Sequence, residues 1–137
     1  MWWVYALLAA FFASLTAIFA KIGISGVNSD LATAIRTVII LMLAWAIVLA
    51  RGELKGIALL SKTNLTFLVL SGLATGLSWI FYFKALQMGE VSKVAPLDKL
   101  SVALTIILSV IFLHETLTLK TALGALFIII GSLFMIF

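Results

Sequence analysis

Long apolar runs separated by short polar connections organise the chain from one end to the other. A helix needs about 20 mainly apolar residues to cross roughly 30 Å of hydrocarbon. Five runs suit that length, over about 2–20, 31–50, 65–86, 94–113 and 119–137. None alternates apolar with polar residues at period two, as the strands of a membrane barrel do, so the pattern predicts helices throughout. Thr118 stands where an N-cap opens the last run. The longest connection, Arg51 to Asn64, mixes Arg51, Glu53, Lys55 and Lys62 with apolar residues, which suits an interfacial turn. The first run lacks a basic leader and exceeds the apolar length of about 7–15 residues typical of a signal peptide, so it reads as a permanent helix.

Composition turns this pattern into a class. Hydrophobic residues make up 65% of the 137 and charged residues 10%, with a mean hydropathy of +1.33. Each helix is then apolar all round, and lipid is the solvent that suits it. The expected fold is all-α and integral to the membrane, with five transmembrane helices in one domain over residues 1–137 and membrane lipid as its surroundings. A prokaryotic inner membrane is the expected location. The chain has no cysteine, so neither disulfides nor thiolate chemistry arise. Its net charge of +4 forms no basic patch, which argues against a nucleic-acid partner.

Loop charges leave the orientation open. Arg51, Lys55, Lys62 and Lys120 lie toward the side of the N-terminus, and Lys21, Arg36, Lys84, Lys93 and Lys99 toward the other. Setting aside Arg36, Lys84 and Lys99 as lying within spans gives a weak bias to an inside N-terminus. Near balance also suits a protein that inserts both ways and pairs with an inverted copy. An odd number of crossings puts the termini on opposite faces, so a tandem second copy would be inverted, as in many transporters.

The fourth run carries the densest polar pattern. At 100° per residue, Asp98, Ser101, Thr105 and Ser109 fall within about 60° of one direction. Facing lipid, such a stripe is costly. Either it lines a cavity, or the hydroxyls bond back to their own helix while Asp98 meets interfacial water. Lys99 points about 100° away from Asp98 around a regular helix, so each is expected to find its own neighbour. Arg36, Lys84 and Lys99 fall toward one side of the membrane, where they either build a basic vestibule for an anionic or zwitterionic solute or snorkel to headgroups. Pro96 is read either as a first-turn proline or as a hinge.

Gly72 and Gly76, four apart, and Gly124 and Gly131, seven apart, are candidates for close helix packing or self-association. Trp79 and Phe83, at i and i+4, either flank a solute or pack. His114 and Glu115 fall short of the three or four ligands of a metal site, so no metal or other cofactor is expected. Hydrolase and phosphate-loop motifs are absent, and no nucleophile, base and orienter assemble, so the chain does not read as an enzyme.

The stretch Gly76-Leu-Ser-Trp-Ile-Phe-Tyr-Phe-Lys-Ala-Leu-Gln-Met-Gly-Glu-Val-Ser-Lys-Val-Ala-Pro-Leu, with Leu113-His-Glu-Thr-Leu-Thr, Leu123-Gly-Ala and Ile130-Gly131, resembles an EamA-type repeat of the drug/metabolite transporter superfamily. Ala20-Lys21-Ile-Gly and Arg36 agree with that repeat's first two helices. In the resemblance, Lys84 and Pro96 match the third and fourth helices, and Glu115 and Gly124 the segment joining the last two. Most members carry two repeats, ten helices in all, inverted around a central cavity. The resemblance therefore implies half of a ten-helix inverted-repeat transporter, acting as a homodimer, parallel or antiparallel, on a small-molecule solute. Asp98, Ser101 and Thr105 would line its path, with Arg36, Lys84, Lys99 and Trp79 nearby. Small multidrug resistance relatives place a glutamate in the first helix for proton coupling. The first run here has no carboxylate, which argues against proton-coupled export of cationic drugs. A non-transporting membrane subunit and half of a lipid-carrier flippase are the alternatives.

Overall fold

The structure is a computed structural model, and it describes residues 1–136. Among these residues it is all-helical: α1 Trp2–Gly23, α2 Ser29–Arg51, a 3-10 helix Glu53–Leu59, α3 Lys62–Met88, α4 Val91–Asp98, α5 Leu100–Leu113 and α6 Leu119–Phe134. Four helical stretches are long and apolar enough to cross a membrane: α1, α2, α3, and α4 with α5 over Val91–Leu113. Helix α6 has 16 residues, or about 24 Å at a rise of 1.5 Å per residue, and is shorter than those four. Phe137, with which the fifth run was expected to close, lies outside the described residues.

Side chains at the ends of the helices explain where they start and stop. Asn28 opens α2, its side-chain oxygen accepting from the backbone N–H of Asp30 at 2.8 Å and of Leu31 at 3.1 Å. Asn28→Ala leaves both donors without that partner and is expected to cost about 1 kcal/mol, measurable as a lower midpoint in denaturant titration of the micelle-bound protein. Gly52 closes α2 at φ 68°, a left-handed position that favours a residue without Cβ. Thr118 opens α6 by accepting from the N–H of Thr121 at 3.2 Å. His114 ends α5 in the left-handed region at φ 54°, and the N–H of Glu115 reaches back to the carbonyl of Ser109 at 3.3 Å. The His-Glu pair thus serves here as a helix stop.

The fourth apolar run is not one uninterrupted helix. Pro96 lies inside α4, which begins at Val91, so the first-turn reading of this proline does not hold. Around Lys99 the pitch tightens: the N–H of Lys99 bonds to the carbonyl of Pro96, and that of Val102 to the carbonyl of Lys99, both at 3.0 Å. These are i to i−3 bonds of the 3-10 kind, which interrupt the α-helical ladder. Because Pro96 has no N–H, the Ser92 carbonyl also loses its helical donor.

The chain divides into two compact units, residues 20–87 and residues 1–19 with 88–137. In the first, the 3-10 helix packs on α2. Lys21 Nζ donates to the carbonyl of Leu86 at 2.6 Å, and the Gln87 amide donates to the carbonyl of Val27 at 2.7 Å. These bonds tie the end of α1 and the α1–α2 connection to the last turn of α3, where the Leu86 carbonyl has no donor of its own within the helix. In the second unit α4, α5 and α6 pack on one another. Buried apolar side chains among the described residues are few: Ala17, Ile24, Phe83, Leu86 and Ala103. Most large apolar residues face outward, as expected where lipid is the solvent.

Candidate functional site

Arg36 is the side chain whose surroundings depart most from a lipid-facing helix. Seven residues beyond the start of α2, it lies about 10 Å along the helix axis. Its guanidinium carbon sits 4.6 Å from the ring centroid of Trp79 and 4.6 Å from that of Phe83. Trp79 and Phe83 are one turn apart on α3, so both rings project from one face of that helix. Phe83 is 2% exposed and Trp79 is half-buried. The guanidinium carbon therefore lies over the faces of two aromatic rings.

The energies are comparable. An arginine at the centre of a membrane helix costs about 2.5–3.5 kcal/mol on insertion scales. A desolvated cation–π contact contributes about 2 kcal/mol, so two of them offset much of that cost. Neither ring supplies an oxygen acceptor for its N–H donors. Nη1 of Arg36 is buried and has no hydrogen-bond partner. A cation prepared in this way can take acceptors at its edge.

On either side of Arg36, Thr33 and Thr37 use their hydroxyls within α2, donating to the carbonyls of Ser29 at 2.9 Å and Thr33 at 2.7 Å. Lys84 follows Phe83 on α3 and is exposed. The structure thus brings Arg36 and Trp79 together and adds Phe83. The spacing of Trp79 and Phe83 marked them as a pair, but neither residue carries a signal that α2 would supply the cation over them.

The other expected path residues belong to the second unit. Asp98 and Lys99 pair with each other at 3.2 Å, against the expectation that a regular helix would point them apart. A 3-10 turn separates neighbouring side chains by about 120°, no less than an α-helix does, so it is the long flexible lysine stem that spans the gap to the adjacent carboxylate. Both side chains are well exposed, at 36% for Asp98 and 56% for Lys99, so the pair contributes little to stability. Thr105 bonds back to the carbonyl of Ser101 at 2.8 Å and Ser109 to that of Ile106 at 3.0 Å. Within this chain, therefore, those two hydroxyls take the back-bonded arrangement. Pro96 and Lys99 border an apolar cleft of about 430 Å³ against Phe127, Gly131 and Ser132 of α6.

The four candidate packing glycines have open surroundings. A methyl placed on Gly72, Gly76, Gly124 or Gly131 meets nothing within 4 Å, so no described helix of this chain uses them for close approach. No group of three or more metal-ligating side chains occurs among the described residues.

Comparison with known proteins gives a consistent picture. The sequence profile of the EamA-like transporter family matches residues 1–137. A protein of Sinorhizobium sp named an uncharacterized transporter in cobO 3'region is 51% identical over 132 residues, covering 96% of this chain and 94% of that one. An uncharacterized protein of Methanocaldococcus jannaschii is 36% identical over 77 residues, 56% of each chain. No solved structure matches.

Proposed function

The chain belongs to the EamA-like transporter family, and from that premise we propose that it is a secondary transporter of a small polar metabolite or drug-like solute, working by alternating access as a dimer of five-span halves. The observation that carries this reading is the arginine lying over two aromatic rings within membrane-length helices. Ionisable groups within membrane helices are expensive, face the protein interior or a water-filled cavity, and mark solute pathways. The chain is an integral, multi-pass membrane protein with a single EamA-type domain, and transporters built from inverted repeats bind solute where the repeats meet. A second copy supplies the missing half in this proposal. The outward-facing glycines of α3 and α6 offer it close-packing surfaces. The break at Lys99 supplies a place for one segment to swing against the other.

Proteoliposomes containing the purified full-length protein test the proposal, with uptake measured over a panel of labelled amino acids, organic acids and cationic drugs. Saturable uptake of one class by a dimeric species is the expected result. A protein that moves none of them but copurifies with one larger membrane complex is a subunit rather than a transporter. Asp98→Asn is expected to slow uptake about two- to fivefold, the range set by an exposed ion pair. An unchanged rate removes Asp98 from the mechanism.

A further inference from the structure

We infer that Arg36 is an oxyanion receptor, and that the solute, on the transport reading above, carries a carboxylate or phosphate group that docks on the edge of its guanidinium. Three observations meet at this side chain. Its guanidinium carbon lies over two aromatic rings, those of Trp79 and Phe83, each with its centroid 4.6 Å away. Its Nη1 is buried and has no acceptor. No acidic residue lies on α1 or α3, and the acid of α2 is Asp30, six residues before Arg36 on another face of the helix. The ion pairs formed among the described residues, Glu90 with Lys93 and Asp98 with Lys99, engage other cations.

A guanidinium with an unpaired buried donor selects by shape. The edge presents parallel N–H donors in one plane, which match two oxygens of a carboxylate or phosphate. A second cation is repelled, and a neutral amide offers one acceptor where the fork takes two. The two ring contacts already restrain the guanidinium, so less freedom is lost when the anion docks. Lysine has the charge without the plane or the fork, so the site is specific to arginine in a way that charge attraction alone is not.

Trp79 also reports on the site, because its ring lies against the group that would bind the anion. The full-length protein with Trp2, Trp3 and Trp45 replaced by phenylalanine keeps Trp79 as its one tryptophan. In phosphatidylcholine nanodiscs it is titrated with acetate, benzoate and inorganic phosphate, and in parallel with neutral acetamide and benzamide. At least one anion is expected to shift Trp79 emission saturably, and the amides are not. Arg36→Lys should weaken that binding by about ten- to a hundredfold, and Arg36→Gln should abolish it. A second arm raises the phosphatidylglycerol content of the nanodiscs. A response there, with none to the water-soluble anions, assigns the oxyanion to a lipid headgroup. Circular dichroism and gel filtration check that each variant folds, and Arg36→Lys carries the test if Arg36→Gln does not. An Arg36→Gln protein that binds anion as tightly as its parent, or a parent that answers to neither source, overturns the assignment. Anion binding without uptake removes the transport reading and leaves the receptor. Uptake unaffected by Arg36→Gln does the reverse.

Discussion

Replacing Trp79 and Phe83 together by leucine is expected to destabilise the protein by about 2–4 kcal/mol, through the loss of two cation–π contacts. Further replacing Arg36 by methionine is expected to restore more than half of that loss. The asymmetry follows from what each change leaves behind. With both rings gone, the guanidinium keeps its charge beside aliphatic side chains that cannot stabilise it, and an uncompensated charge is the costly state. With the arginine gone as well, the same helix faces meet as apolar surfaces. The double and triple variants, titrated from folded to unfolded in mixed micelles, decide between this account and simple loss of packing. If the rings act only as bulk, methionine at position 36 restores nothing and the costs add. Arg36→Met with both rings present is expected to leave stability within about 1 kcal/mol of the parent, because the favourable contacts and the cost of the charge leave together.

The contrast between these variants shows what could be read from the residues alone. Membrane insertion is written in the apolar runs, since hydropathy depends on composition and not on partners. The helix limits at Asn28, Gly52 and Thr118 are local as well, because a cap bonds to neighbours two or three residues away. The spacing of Trp79 and Phe83 shows that one face of α3 carries two rings. That Arg36 lies over them depends on how α2 and α3 meet, and nothing in either apolar helix encodes that pairing strongly. In a soluble protein an amphipathic stripe indicates the buried face, whereas helices that are apolar all round offer no such stripe. Asp98 and Lys99 show the opposite limit. Their separation was reasoned from the directions of the Cα–Cβ bonds, and the reach of a flexible lysine side chain was enough to pair them. Pro96 signalled an irregularity in that region, but the tight turn falls three residues beyond it, and the geometry around the proline alone does not account for its position.

Pro96→Ala is the substitution expected to separate stability from transport most widely. The alanine restores an N–H donor for the Ser92 carbonyl and removes the clash of the ring with the preceding turn, a change of up to about 3 kcal/mol in favour of continuous helix. The ladder would then run unbroken through α4, Val91–Asp98, amide exchange at and just around position 96 should slow, and the midpoint of unfolding should hold or rise. If alternating access requires this segment to bend, a barrier raised by about 1.4 kcal/mol lowers the transport rate tenfold. Pro96→Gly is the matched control. It restores the same donor but keeps the chain pliable, because glycine disfavours continuous helix by about 1 kcal/mol relative to alanine. Retained uptake in the glycine variant beside lost uptake in the alanine variant identifies bending as the property that matters. Equal rates in both variants and the parent would show that the break shapes the cleft beside α6 and does not move during the cycle.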